Sequence, residues 1–377
     1  WPMPQPIAGD PDLVRRWTQT VTGQELDAGR SVVVLEPAVW RERRARVMAS
    51  PLRSDLEPGA DEVLGWHDNT AGANEISLLG EAALWHLGRL LTARPTDWSL
   101  HLRRAGVLRR FGRDVEALKA LDAARELGGL EPVRGWCAER AENLERVHRH
   151  EAALWFHEWV VAADSKDSQA QDDLGQCLAR LGRFAEAGER FTQAVALAPE
   201  RVDYRHHLAM ARLALDDRVG FRQACARLIQ LAEAADSPEA ARMAALTCVF
   251  DSRAAGDWDA VVRLVARAAQ GYDGDIRIRV AAFYRAGRLD EALALPWTTD
   301  ERASRFGWEW LFQGMLRLRA GREEEGRDIL AQMSKFATFV DQAIPRDANS
   351  KVWSDWIYDV QFHALHKEAE ALLANPS

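Results

Sequence analysis

The segment that decides the fold lies between Ser168 and Glu200 and reads SQAQDDLGQCLARLGRFAEAGERFTQAVALAPE. Its first half repeats leucine at helical spacing, and the pair Gly182-Arg183 then interrupts the pattern, as glycine does at the end of a helix. Its second half places small and apolar side chains on one helical stripe, which Pro199 ends. These side chains are Phe184, Ala187, Phe191, Ala194 and Leu197. The segment therefore predicts two short antiparallel helices joined by a tight turn.

Small residues predict where the two helices approach each other. Gly175 and Ala187 have little or no side chain, so the two backbones can come close at that level. We expect Phe191 to fill the groove between this helical hairpin and the next one.

The same pattern recurs along the chain. The pentapeptide Glu-Ala-Ala-Leu-Trp occurs at residues 81–85 and again at residues 151–155, an offset of 70 residues. The pattern Gly-Arg, with an alanine five residues after the glycine, begins at Gly112, Gly182 and Gly287, and Gly321 with Gly326 is a variant. The offsets between these glycines are 70, 105 and 34 residues, so the unit length is about 35 residues.

This period and the residues of segment 168–200 resemble the tetratricopeptide repeat (TPR). The matching residues are Leu174, Gly175, Gly182, Ala187, Phe191, Ala194 and Pro199. The resemblance implies an all-α fold, a right-handed TPR-like α-solenoid of about eight helical hairpins. We place the hairpins near residues 60–95, 97–129, 131–165, 168–200, 202–234, 238–272, 275–295 and 306–338.

Two hairpins and the last helix depart from the pattern. About three extra residues around Asp216 to Cys225 predict a longer turn in the fifth hairpin, and Pro296 predicts a short second helix in the seventh. The last helix, roughly 351–374, is predicted to cap the final hairpin. Its core stripe would contain Trp353, Trp356, Ile357, Val360, Ala364, Leu365, Ala369 and Leu372, with Lys367, Glu368 and Glu370 towards solvent. The predicted domains are a linker at 1–55 (helix, short strand, helix), repeats at 56–345 and a capping helix at 346–377.

The flanking segments resemble a narrower group of proteins. Thr22-Gly23-Gln24-Glu25-Leu26-Asp27 and Trp40-Arg41-Glu42-Arg43-Arg44 look like the linker after the propeller in large bacterial WD40–TPR proteins, some of which carry a kinase domain. Residues 218–228 and 353–372 resemble the repeat region of the same proteins. This resemblance implies that the chain is the C-terminal arm of a larger bacterial protein that works in the cytoplasm. No kinase motif occurs in the sequence.

Composition excludes several classes of protein. The chain has 377 residues, of which 47% are hydrophobic and 28% charged, so it can bury apolar surface along its length. Its net charge of −8 gives little support to general nucleic-acid binding, and no uncharged apolar stretch approaches the roughly 20 residues that cross a bilayer. The four cysteines form no CxxC pair, so we expect buried thiols rather than a zinc knuckle.

Candidate chemistry is sparse. His363 and His366 would share a helix face with Asp359, which is the best metal-like cluster, but a polar stripe on an amphipathic helix explains them more simply. His148, His150 and His157 lie near a predicted turn, and we expect a helix start and a solvated face there. Adjacent His206 and His207 would point in different directions. We therefore predict no enzyme, no metal and no cofactor.

Most tryptophans and the arginine-rich helix are explained by packing rather than by ligand binding. Trp85, Trp155, Trp159 and Trp310 are expected to pack between repeats, and the helix with Arg41, Arg43, Arg44 and Arg46 is expected to bury Trp40 and Val47. A regulatory module that binds nucleic acid or a small ligand through Arg and Trp residues remains the alternative function. A hydrolase or metal enzyme that uses His363 and His366 remains a third.

The main functional hypothesis is a non-enzymatic scaffold, because first helices of TPR hairpins line a concave surface that binds peptides or partner helices. We expect a protein or peptide partner, no membrane, and neither nucleic acid nor a small-molecule substrate. The predicted partner-binding residues on this surface are Ser99, Arg109, Arg110, Gln169, Asp172, Gln176, Arg180, Asp203, His206 and Met210.

Overall fold

The structure, a computed structural model, describes residues 11–49, 60–77, 79–235, 237–269, 276–296, 307–343 and 356–374. The chain divides into two compact units, unit 1 (Trp1–Gly129) and unit 2 (Leu130–Ser377). The predicted domain boundaries near residues 55 and 345 fall outside the described residues, so they stay predictions.

Unit 1 begins with a small linker structure and continues with two helical hairpins. Helix α1 (Pro11–Thr22) is followed by strands β1 (Gln24–Leu26) and β2 (Val32–Val34), which pair antiparallel with Gln24 opposite Val34, and by α2 (Pro37–Met48). The second strand was not predicted. The hairpins are α3 (Ala60–Ile76) with α4 (Gly80–Ala93), and α5 (Trp98–Arg110) with α6 (Asp114–Gly128).

The predicted role of α2 is confirmed. Val47 is buried, and the indole Nε1 of half-buried Trp40 donates a hydrogen bond of 2.8 Å to the carbonyl of Thr20. Arg44 lies over the Trp40 ring. Trp40 therefore links α2 to α1, and Arg44 covers its ring.

In the described residues of unit 2 there are six further hairpins and one additional helix. The hairpins are α7 (Leu130–Arg146) with α8 (His150–Ala163), α9 (Ser168–Arg180) with α10 (Phe184–Leu197), α11 (Val202–Ala214) with α12 (Arg218–Ala234), α13 (Pro238–Cys248) with α14 (Trp258–Ala268), α15 (Ile276–Arg285) with α16 (Leu289–Ala294), and α17 (Trp308–Arg319) with α18 (Glu323–Ala343). The last helix is α19 (Trp356–Ala374). The eight described hairpins confirm the all-α, TPR-like repeat fold. We call the first helix of each hairpin its A helix and the second its B helix.

The Gly-Arg pattern marks the turn between the A and B helices. Gly112, Gly182, Gly287 and Gly321 all have φ between 72° and 78°, a left-handed conformation that costs residues with a Cβ about 1–2 kcal/mol. In two hairpins the same position is taken by His148 and Asp216, each with φ of 58°. The arginine after the glycine pairs with a glutamate three residues later, in Arg113–Glu116, Arg183–Glu186 and Arg288–Glu291. The pattern therefore combines a turn residue with a helix-start ion pair.

Close helix approach also follows the prediction. A Cβ on Gly175 would lie 2.6 Å from the ring of Phe191, which is fully buried. A Cβ on Gly314 would lie 2.5 Å from the side chain of Leu330, so α17 and α18 approach in the same way. Both positions require glycine because the facing side chain belongs to the core.

The fifth hairpin was predicted wrongly in one respect. Its turn, residues 215–217, has the same three-residue length as the turn between α9 and α10. The extra residues lengthen the B helix instead, since α12 has 17 residues where α10 has 14. In the seventh hairpin, α16 is a single short helix of six residues that ends at Ala294, as Pro296 predicts.

Helix α19 contacts both helices of the last hairpin, but it contacts A helix α17 more extensively than B helix α18. It also contacts α11, which belongs to the hairpin 202–234. A regular next repeat would contact mainly the preceding B helix, as α11 does with α10. Helix α19 therefore lies across A helices of unit 2 rather than continuing the stack.

Candidate partner-binding surface

Neighbouring A helices contact one another from α9 through α17, and we call their shared surface the A-helix face of unit 2. All seven predicted binding residues in unit 2 lie on α9 or α11. Three other predicted residues lie on α5 in unit 1.

Asp172 on α9 is nearly inaccessible, with 1% of its surface exposed. Its carboxylate accepts a hydrogen bond of 2.8 Å from the Gln176 amide and lies 2.8 Å from Nδ1 of His207 on α11. The contact with His207 joins two neighbouring A helices. Asp172 therefore serves the packing of the repeats, and half-buried Gln176 stands beside it at the surface.

Gln169, at the start of α9, is exposed. Its amide donates to Asp173 at 2.8 Å, and its side-chain oxygen accepts a hydrogen bond of 3.1 Å from the hydroxyl of Tyr204 on α11. Gln169 thus offers an accessible polar position on the A-helix face, held in place by two neighbours.

The three predicted residues of α11 have different surroundings. Asp203 is half-buried and pairs with Arg201 at 2.5 Å. His206 is buried and lies 2.8 Å from the hydroxyl of Thr247 on α13, and burial lowers the pKa of its imidazole to about 3. Met210 is fully buried, and the Gln361 amide of α19 lies 3.8 Å from its sulfur. His206 therefore joins two hairpins, and α19 covers Met210.

In unit 1, the predicted residues lie at the two ends of α5. Ser99 is exposed and donates a hydrogen bond of 2.6 Å to the N-cap residue Asp97. At the other end, half-buried Arg109 lies 3.2 Å from Asp114, and the exposed guanidinium of Arg110 donates to the carbonyl of Glu75. These three residues form a candidate surface of unit 1.

Sequence reasoning missed a buried charge on the A-helix face. The side chain of Arg285 on α15 is 1% exposed, and both of its terminal nitrogens donate to the carboxylate of Glu368 on α19, one at 2.7 Å. Its Nε donates to the carbonyl of Val249 at 2.8 Å, and its guanidinium lies 5.2 Å from the ring centre of Phe312. The prediction that Glu368 faces solvent is therefore wrong, because a two-point ion pair holds it against the repeats.

A repeated position signals this arginine. Arg110, Arg180 and Arg285 each stand two residues before a turn glycine that has positive φ. Arg110 and Arg180 both bind the residue 35 positions earlier, namely the Glu75 carbonyl and the Glu145 carboxylate. Arg285 reaches back in the same way through Val249 and pairs in addition with Glu368.

The other end of α19 is fixed by aromatic contacts. The Trp356 ring is stacked on Phe191 with 5.9 Å between ring centres and lies 6.1 Å from Phe184. It also lies 6.4 Å from the ring of His207. Of the predicted core stripe of α19, Trp356, Val360, Ala364, Leu365 and Ala369 are buried, Ile357 and Leu372 are half-buried, and Trp353 lies outside the described residues.

A polar cluster between α7, α8 and α9 contains one donor atom each from Glu145, His157 and Cys177, all within 4.8 Å of one another. Arg180 Nη1 already lies 3.2 Å from the same Glu145 oxygen that faces His157 at 3.3 Å. Burial and the Glu145 carboxylate raise the pKa of the Cys177 thiol, which stays protonated and donates to the carbonyl of His150. A cation would meet both the guanidinium and this proton, so we interpret the cluster as a neutral polar junction between repeats.

The histidine predictions are partly corrected by this cluster. His150 does begin α8, as expected, but the solvated face is wrong, because both His150 and His157 are buried. On α19, His363 Nδ1 lies 2.8 Å from the Asp359 carbonyl of its own helix. The ring of His366 stacks on Phe362, and its Nε2 lies 3.2 Å from the Ser334 hydroxyl.

Tryptophans divide into buried and exposed groups. Trp159 is buried, and Trp155 and Trp310 are half-buried, whereas Trp85 is 57% exposed, so the packing prediction is wrong for Trp85. Trp85 and exposed Trp66 surround a buried pair, His67 and His86, whose Nδ1 atoms lie 2.8 Å apart. All four cysteines are buried and free, as predicted. Among the described residues, no helix combines the length and apolar character that crossing a membrane requires.

Comparison with known proteins adds structural neighbours only. No family model matches the chain, and no curated protein matches it. A tetratricopeptide repeat protein from Parabacteroides merdae is similar in structure over 63% of this chain and 92% of its own, with 14% identity and a TM-score of 0.41. PilF of Pseudomonas aeruginosa is similar over 61% of this chain and all of its own, with 16% identity and a TM-score of 0.34. YrrB, described as a TPR protein with an unusual peptide-binding site, is similar over 44% of this chain and 84% of its own, with 18% identity and a TM-score of 0.28.

Proposed function

We propose that the chain is a non-enzymatic protein-interaction scaffold whose A-helix face binds a peptide or helix of a partner protein. The observation that carries this proposal is α19, a helix already bound on this face. Trp356 lies against α10 and α11, and Glu368 pairs with Arg285 on α15. A surface that packs one amphipathic helix has the shape and the anchors to pack another.

The scaffold would act as the C-terminal arm of a larger signalling or assembly protein in the bacterial cytoplasm. This part of the proposal rests on the resemblance of residues 22–27 and 40–44 to linkers that follow a propeller. A repeat module at the end of a larger chain would bring a partner to the chemistry of the other domains.

The alternative function, nucleic-acid or ligand binding through arginine and tryptophan, finds less support in the geometry. Arg113, Arg183 and Arg288 each bind a glutamate of the same helix, which occupies the guanidinium that a phosphate would need. A salt-dependent mobility shift with single-stranded DNA would favour this alternative.

Site-specific photocrosslinking in the cell that makes the protein tests the main proposal. A benzoylphenylalanine at Gln169 would stand on the A-helix face, and one at Glu189 would stand on the exposed surface of the B helix of the same hairpin. We expect a discrete crosslinked partner from position 169 and none from position 189. Equal crosslinking from both positions, or from neither, contradicts binding on the A-helix face.

A further inference from the structure

The contacts of α19 follow one ridge of the helix. Trp356, Val360, Ala364 and Glu368 lie at intervals of four residues, which places them on one side of an α-helix. The first three are buried, and the fourth binds Arg285. The A helices therefore hold an aromatic residue at one end of a ridge and a carboxylate three turns later.

The surface that contacts this ridge has an aromatic end that faces Trp356 and a charged end that faces Glu368. Its aromatic end is formed by Phe184, Phe191 and His207, and its charged end by Arg285. We call it the α19 site, and it consists of the surfaces of α10, α11, α15 and α17 that α19 covers. A helix that covered the guanidinium of Arg285 without a carboxylate would leave a buried charge unpaired, so the site favours a helix with a negative charge at this place.

A helix of a partner protein would compete at this site with α19, which belongs to the same chain. Residues 344–355 separate α18 from α19, and twelve residues can span at most about 40 Å. This segment tethers α19 to α18 within the same chain. A tethered helix competes at an effective concentration of the order of millimolar, so a partner that replaces it must bind more tightly or extend further. Exposed Gln169 on α9 offers such an extension, since α9 is not among the helices that α19 contacts extensively.

We propose that the α19 site is the binding site for an amphipathic helix of a partner protein, that this helix carries an aromatic residue and, twelve residues later, a carboxylate, and that it binds by displacing α19 from Arg285. The inference rests on the proposed scaffold function and specifies its partner. The partner helix uses the same ridge as α19: its ring packs on Phe191, and its carboxylate accepts from both terminal nitrogens of Arg285.

A labelled synthetic peptide with the sequence of residues 356–374 tests this proposal on the full chain. In the Glu368→Gln variant the tethered helix loses its ion pair while Arg285 stays available, so we expect the peptide to bind at least tenfold more tightly to the variant than to the unchanged chain. A control peptide with the same Glu368→Gln change should lose most of this gain. Equal affinity of the two peptides for the variant overturns the pairing with Arg285.

A second variant covers the case in which Glu368→Gln fails to fold. Trp356→Ala removes the aromatic contacts at the opposite end of α19 and leaves both charges in place, and it should also increase peptide binding at least tenfold. Amide hydrogen exchange in the same variant should become faster across α19 than across α9. If α19 exchanges no faster than α9 and the peptide does not bind, the site is a fixed part of the fold and the proposal is wrong. Crosslinks from position 169 together with that result would leave the scaffold function standing and overturn only the α19 site. Peptide binding without crosslinks would overturn the scaffold function, and with it the partner helix, although the site itself would be shown to accept a second helix.

Discussion

Arg110 and Arg285 occupy the same position in two hairpins, yet their surroundings are opposite. Each stands at the end of an A helix, two residues before a glycine with φ of 72°. Arg110, in unit 1, is exposed and binds a carbonyl of the preceding hairpin, whereas Arg285, in unit 2, is buried and binds a carboxylate of α19. The repeat thus places an arginine at the end of these A helices. Where α19 covers that position, the arginine is buried and pairs with a carboxylate of α19.

The largest loss of stability should come from breaking the ion pair between Arg285 and Glu368. Glu368→Ala leaves a guanidinium without its carboxylate partner, and loss of one member of a buried ion pair costs about 3–5 kcal/mol. Arg110→Ala is the matched control at the exposed position, and it should change the free energy of unfolding by less than about 0.5 kcal/mol. Urea denaturation of both variants measures the difference, and similar losses for the two would show that burial by α19 contributes nothing.

Acid should lower the free energy of unfolding of unit 2 through a separate group, His206, by less than Glu368→Ala does. Because burial lowers the pKa of His206 to about 3 while an unfolded histidine has a pKa near 6.5, only the unfolded state gains the proton between these values. Its contribution is therefore complete above pH 6.5 and is lost as the pH falls towards 3, with about 2 kcal/mol lost at pH 5.

His206→Gln should remove this part of the pH dependence and leave the effect of Glu368→Ala unchanged at pH 7. Denaturation at pH 7 and pH 5 gives both quantities. An identical pH dependence with and without His206 would mean that other groups cause the acid sensitivity.

The turn that follows each arginine should behave alike in the two hairpins. Gly112→Ala and Gly287→Ala each force a residue with a Cβ into a left-handed conformation, at a cost of about 1–2 kcal/mol. Gly188→Ala in α10 is the control, since its Cβ would meet no atom within 4 Å and helical alanine is favoured by about 0.5–1 kcal/mol. Thermal unfolding should give similar losses at positions 112 and 287. A much larger loss at one of them would mean that the two turns are not equivalent.

The smallest effect concerns the turns without glycine. His148 has φ of 58° at the position that Gly112 and Gly287 occupy in their hairpins. His148→Gly should relieve the left-handed strain and stabilise the chain by about 0.5–1 kcal/mol. A loss of stability in the same thermal measurement would show that the His148 ring contributes more than its backbone costs.

The parts of the fold that were predicted correctly depend on contacts close in sequence. Gly182 and Arg183 define a turn and an ion pair within four residues, and Gly175 meets Phe191 within one hairpin. Such contacts leave a pattern with the period of the repeat. The pair Arg285–Glu368 joins residues 83 positions apart, so no period reports it.

The accessibility of the candidate surface was predicted less well for the same reason. His206 and Met210 follow the spacing of an A-helix face, but Thr247 and Gln361 come from other parts of the chain and cover them. His150 and His157 look solvated on their own helix and are buried because neighbouring helices close over them. The fifth hairpin shows a further limit, since the length of a repeat does not reveal whether extra residues enter the turn or the helix.

The contact between α19 and α11 also changes how unit 2 should unfold. In a plain stack each hairpin contacts only its neighbours, so the array can lose hairpins one at a time from either end. The contact between Gln361 and Met210 joins residues 151 positions apart and links the hairpin of α11 to the last one. The four hairpins from α11 to α18 should consequently unfold as one cooperative block, and loops closed over such distances slow its formation, so this half of the chain folds late and as a whole.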